Sequence, residues 1–438
     1  MSSIDLSSLL RLQLPRGGID FSSFSSLCAS AARLLPDKSL PVAVAAVAGY
    51  LVICNAVRFR SINRLKKKLG YTDRRSLSRM TGDDAQTIMR HMILEEFPTM
   101  SELGLQFALF KTYGIETISK LLVATKNLAD KENSSKRYED TSIIFTEFMT
   151  SMPTSSRHMQ AVARINYLHA PYIASGKILN EDLLYTLAVS AIEPARFIGL
   201  NEWRATTEME RCAIGTFWKS LGDAMGIKYE GHLARAGQWA DGLEFHEDIS
   251  AWAREYEMEH LRPADTNVAA SRELVRLMNW HVPGFLKPFA QDALVVLMGD
   301  RVRDAFRFEE PGILPAAIIY TTLALRRFAL RFFCLPRLRP LKAFSDEDPT
   351  TGRIQHYYYL VHPWYNPSTL WSRWGPEALF RRLSGGFAPG EKSHMPEGFL
   401  WNEIGPKAQV GKGSAEMDVH VERMKGLQRG KCPFSGAA

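Results

Sequence analysis

Cysteine is scarce in this sequence: five residues, at positions 28, 54, 212, 334 and 432. No two stand at metal-ligand spacing, and an odd, scattered set is poor material for a disulfide framework. A reducing, cytosol-facing domain is the simpler expectation. Also missing are a GxGxxG turn, a P-loop, HExxH, GxSxG and a CxxC pair. Their absence removes the usual signatures of nucleotide-dependent, zinc-dependent and serine-hydrolase chemistry. Strand signals are weak too. Period-2 alternation is not sustained, and the Asp241-Gly242 pair lies between helical patterns rather than between β-rich runs. No internal repeat is visible.

Net positive charge is lacking almost everywhere but in one place. Arg58, Arg60, Arg64, Lys66, Lys67, Lys68, Arg74 and Arg75 crowd into eighteen residues opposed only by Asp73, so this block alone matches the net charge of +7. The rest of the chain is near neutral. No basic face suits a nucleic acid, and no nucleic-acid partner is expected.

What is present begins with an anchor. Residues 39–57, SLPVAVAAVAGYLVICNAV, carry no charge; nineteen residues of helix span about 28 Å, close to the hydrocarbon thickness. The strong positive charge follows this stretch, the reverse of a signal peptide. The positive-inside rule then keeps 58–81 cytosolic as a basic juxtamembrane linker and puts 1–38 in the lumen. Asn133-Ser134-Ser135 matches the glycosylation pattern, but in a cytosolic domain it stays unmodified.

The chain's 46% hydrophobic, 23% charged composition is that of a folded protein. Residues 82–341 read as helix after helix, an all-α domain. Thr207 with Glu210 forms a capping box for a helix closing at Gly226. Asn180 can cap a segment running to Gly199, with Pro194 as a kink. Another helix covers 156–174 and stops at Ser175-Gly176. Residues 312–336 are apolar and then basic and aromatic; they suit a helix lying in the membrane interface or a plain core helix. From 342 to 438 the chain turns aromatic-, proline- and glycine-rich, which predicts an irregular tail with a mobile end. Cys432-Pro433-Phe434 lacks the glycine-rich loop a thiolate haem ligand requires.

Two helical stretches carry candidate chemistry. In AVARINYLHAPY, residues 161–172, Val162, Ile165, His169, Tyr172 and Ile173 share a face. His169 on that stripe suits a core imidazole bonded to a carbonyl, or an axial ligand whose second nitrogen donates to an acceptor such as Asn166. In SSKRYEDTSIIFTEFM, Arg137 and Thr141 are i,i+4 neighbours. That pair suits a solvated helix start, or a cation and hydroxyl that polarise bound dioxygen.

The order R-x-x-x-T, then about thirty residues, then R-x-x-x-x-H-A and a capped helix EDLLYTLAVSAIEPARF resembles the rubber oxygenase family. That family includes the bacterial latex clearing proteins and a fungal endoplasmic-reticulum-bound oxygenase of mycophenolic acid biosynthesis. The resemblance covers roughly residues 85 to 335. It implies an all-α enzyme with haem b iron on His169 and dioxygen as co-substrate. Arg137, Thr141 and Arg164 would assist, cleaving a prenyl double bond of a lipophilic meroterpenoid at the endoplasmic reticulum membrane. Asp140 stands where the bacterial motif has a lysine, a change that would reverse the local field. Two alternatives stay open. One is non-haem iron on His158, His169, His260 and His281 with Glu208 or Glu210, or on the pairs Glu257/His260 and Glu391/His394. The other is an inert membrane-anchored lipid-binding scaffold.

Overall fold

The computed structural model describes residues 39–126, 133–358, 361–383, 390 and 394–434. The 1–38 segment, Tyr359, Glu391 and the last four residues lie outside the described residues. Among those described the fold is all-α. Extended backbone amounts to isolated bridges such as Ile354 with Phe399.

The chain divides after Ala56. Before that point lies most of α1 (Ser39–Val57), nineteen residues with no charged side chain. An all-round apolar helix of this length suits lipid better than a half-wet core. Length and composition qualify three stretches to cross a membrane: Leu40–Leu69, Asn180–Asn201 and Ile313–Phe332.

The second unit starts at Val57. Residues 58–81, expected as a linker, fold into it. Ile62 of α2 (Arg60–Leu69) joins the core, as do Tyr71, Leu77 and Met80. Arg58 is buried with its guanidinium 4.3 Å above the Trp203 ring, and Arg74 pairs with Asp241. The basic block is therefore partly structural, because its apolar neighbours need the core.

The core is built where α3 (Pro98–Tyr113), α4 (Ser134–Thr150), α5 (Ser156–Ala174), α6 (Asn180–Asn201), α7 (Glu208–Met225) and α8 (Gly242–His260) pack. Gly104 lets α3 approach α6: a Cβ there would lie 2.5 Å from Pro194 Cα. Phe107 and Phe197 stack beside it at 4.9 Å. Pro194 does not end α6, which stays helical from Asn180 to Asn201; close packing against α3 offsets a cost of roughly 3 kcal/mol. Thr207 and Glu210 cap α7 reciprocally, at 2.7 and 3.3 Å. Asn180 does not cap α6. Its amide instead bonds both backbone groups of Lys228 at 2.9 Å, and Asp182 accepts from Leu179 N at 3.1 Å.

Beyond residue 312 the structure narrows two expectations. The helix α9 (Ile313–Phe332) has no buried residue, so it is not a core helix. The tail packs into the domain: Phe344, Ile354, Val361, Tyr365, Phe399 and Trp401 enter the core. A further helix, α10 (Ser414–Gly426), lies against α5. Residues 430–434 are tied down as well. Gly82 N donates to Lys431 O at 2.9 Å, and the Cys432 thiol points to Ser78 O at 3.6 Å.

Candidate active site

Helices α3 to α7 enclose a cavity of about 700 Å³, closed on one side by residues 405–409 of the tail. That volume falls within the range of small-molecule and cofactor sites. His169, Arg137 and Thr141 all line it. Two stretches thirty residues apart in sequence thus meet at one space.

Ser155 caps α5 by accepting from His158 N at 3.3 Å, and from there the helical period carries Ile165, His169 and Tyr172 to the cavity. Ile173, expected on the same stripe, is exposed. Burial, reinforced by the Arg137 charge, pushes the His169 imidazole down to about 4, so it is neutral at ordinary pH. Its Nδ1 is enclosed and has no hydrogen-bond partner among the described residues. Asn166, proposed as that partner, donates instead to Ala224 O at 3.1 Å.

On α4, Arg137 donates to the Thr141 hydroxyl, which donates in turn to Arg137 O at 2.7 Å. The hydroxyl proton is therefore committed to the backbone, while the guanidinium keeps further N–H groups for a ligand. Tyr113 and Tyr138 also line the cavity. Burial raises both phenols, so they remain protonated donors. Apolar surface comes from Leu109, Ile144, Phe145, Phe148, Leu187 and Trp218.

Asp140 does not invert the field of this space. It is fully buried and is not among the lining residues, although its neighbours Lys136 and Arg137 are. It pairs with Lys136 and accepts from Tyr365 OH at 3.0 Å and Gly405 N at 2.8 Å. Burial raises its pKa, and the Lys136 charge pulls against that rise.

Arg164, expected at the reacting groups, is placed elsewhere. Its buried guanidinium donates to Ile404 O at 2.6 Å, Lys412 O at 2.7 Å and Gln409 O at 2.9 Å, and it does not line the cavity. It holds the wall. Gly405 in that wall has φ +117°, and a Cβ would meet Leu168 at 2.9 Å. Sequence reasoning missed this wall entirely; the one available signal was the Gly405-Pro406 turn dipeptide.

The alternative iron ligands scatter. His158 Nδ1 sits 3.2 Å from Ser151 O, His260 lies against the Tyr256 ring and His281 bonds Arg381. Glu210 is taken by Arg204, and Glu257 by Lys111. Glu208 is exposed. Among the described residues no three His, Cys, Asp or Glu side chains converge on a metal position. Asn133 lines the cavity, and Ser134 and Ser135 of the glycosylation pattern are buried.

No protein-family model matches the chain. It is, however, 37% identical over 410 residues to the ER-bound oxygenase mpaB' of Penicillium brevicompactum, covering 92% of this chain and 97% of that relative. The chain belongs to the ER-bound oxygenase mpaB family. A second relative, the ER-bound oxygenase mpaB of the same species, is 36% identical over 383 residues, 86% of this chain and 91% of that one. The mpaB of Penicillium roqueforti (strain FM164) is 40% identical over 268 residues, 61% of this chain and 90% of its own. Membership makes the chain an oxidoreductase of the oxygenase class and removes the inert scaffold reading.

Proposed function

We propose that this oxygenase, bound at the endoplasmic reticulum membrane, uses dioxygen to cleave a C=C bond in the prenyl chain of a lipophilic meroterpenoid. The observation that carries this reading is the cavity itself: the neutral His169 imidazole and the Arg137 cation set among mostly apolar side chains. A water-soluble substrate would not favour such walls, whereas a farnesyl chain gains by leaving water.

The residues present fit a haem. His169 offers a neutral nitrogen on a helix, as proximal histidines do, and no hydrogen bond among the described residues uses its Nδ1. Lys177 and Lys407 are exposed cations at the cavity lining, suited to two propionates. When bound, haem would supply the iron at which dioxygen is reduced. The chain's own part is separate and physical. His169 stays unprotonated because burial and Arg137 disfavour a second charge. The Arg137 guanidinium, steadied by Thr141, orients and stabilises developing negative charge on oxygen. Leu109, Phe145, Phe148 and Trp218 exclude water and align the prenyl chain. Overall, both atoms of dioxygen enter product, one on each carbon of the cleaved double bond.

The test is incubation of the vesicle-bound protein with a farnesylated phenol under ¹⁸O₂, followed by mass analysis. A shortened carbonyl product bearing ¹⁸O is expected. Hydroxylated but uncleaved substrate would overturn the cleavage reading.

A further inference from the structure

The face of α9 poses a separate question, since nothing in the active site uses it. Ile313, Leu314 and Leu325 are 90%, 71% and 63% exposed, and Phe328 is 54% exposed. The helix contains no acidic residue from Ile313 to Phe332. The helix Lys287–Met298 packs against α9, and beside it Phe285 is 83% exposed. A contiguous apolar patch of this kind marks a contact with something other than water.

We propose that the catalytic unit rests on the bilayer through α9 and the 284–298 segment, so that the membrane is held at two places rather than by the α1 tether alone. The inference rests on reading α1 as the membrane span. Its strongest support is where the chain leaves that span. Arg58, the first residue after α1, donates to Cys334 O at 3.1 Å, just past the end of α9. Arg331 of α9 stands 5.3 Å above the Phe59 ring. The membrane surface at Val57 is therefore also the level of the α9 C-terminus. Only thirteen residues, Ile313 to Leu325, precede the first arginine, about 20 Å of helix and too short to cross. Such a helix lies in the interface, apolar side down.

Charge agrees with this placement. Arg327, Arg337 and Arg339 are exposed at the α9 end, and Arg60, Arg64, Lys67 and Lys68 are exposed on α2. No interfacial surface complements these better than anionic headgroups. The occupant of the patch is thus lipid, not a second copy of the chain.

The full chain is reconstituted into phosphatidylcholine–phosphatidylserine vesicles containing a phospholipid with a photoreactive diazirine in its acyl chain. After illumination, adducts are mapped by mass spectrometry. Expected adducts fall on residues 40–57, which report the span, and on 313–325 and 285–289. In an L314E/I318E/L325E variant the second set is lost while the first remains. Adducts confined to 40–57 in the unaltered chain overturn the docking proposal, as does capture of α9 by a second protein copy. Absence of adducts on 40–57 overturns the span reading itself. Equal α9 labelling in vesicles of phosphatidylcholine alone overturns the role given to the basic residues.

Discussion

Arg164 Nε donates to the carbonyl of Ile404 at 2.6 Å, linking residues 240 positions apart in sequence. From the other helix, Asp140 accepts from the amide of Gly405, the next residue. A cation from α5 and an anion from α4 therefore grip the same turn from both sides. The cavity has a fourth wall because of this grip.

Removing Arg164 should damage structure first. Arg164→Met leaves three carbonyls without their donor in a buried place, a loss of roughly 3 kcal/mol or more. A lowered melting temperature together with lost haem retention is expected. Full stability with lost activity would show instead that Arg164 acts on the reactants.

Arg137→Ala should do the opposite. Among the described residues its side chain bonds only Thr141, on the same helix, so the melting temperature should hardly change. Turnover should fall on the order of 10²–10³-fold, the usual cost of losing one charge-stabilising donor. Thr141→Val should give a smaller loss of the same kind, since the hydroxyl steadies the guanidinium. Steady-state oxygen uptake with unchanged absorption checks both.

How much of this was legible in the sequence depends on the kind of signal. The α5 helix appears with the boundaries its pattern predicts, because Ser155 and Ser175-Gly176 punctuate a clear 3.6 period. The Thr207/Glu210 box is likewise local and is found as written. Asp140 was misread because spacing on a helix says which residues are neighbours, not which face the tail will cover. The wall at 405–409 left almost no trace: aperiodic turns are shaped by partners such as Arg164, hundreds of residues away. Arg164 was assigned to the chemistry by its place in a motif, and only tertiary contacts reveal its donors to be spent.

Gly405→Ala should reproduce part of the Arg164 phenotype. A backbone φ of +117° is open to glycine and costly to other residues, on the order of 1–3 kcal/mol, and the new Cβ would press on Leu168. Reduced stability and weaker substrate binding are expected, measured by melting and by KM. A neutral outcome would mean that the wall turn relaxes freely.

Acid should destabilise the fold through its buried histidines. Burial, aided by Arg211, lowers His246 from 6.5 to about 4. Between those values the unfolded chain takes up a proton that the folded chain refuses. Stability is therefore complete above pH 6.5 and falls as pH drops toward 4, by at most about 1.4 kcal/mol per unit for one group. His158 is lowered in the same sense by burial, so His246→Gln should flatten the profile without abolishing it. Denaturant melts at pH 7, 6 and 5 would read the difference; identical slopes in both proteins would contradict it.

The central claim is that the His169 imidazole holds a haem iron. It is tested most directly by the absorption spectrum of the purified protein beside its His169→Ala variant. The expected result is a Soret band with oxygenase activity in the first and neither in the second, at matched melting temperatures in the haem-free state. Activity in a colourless protein, or a Soret band undiminished in the variant, would contradict it.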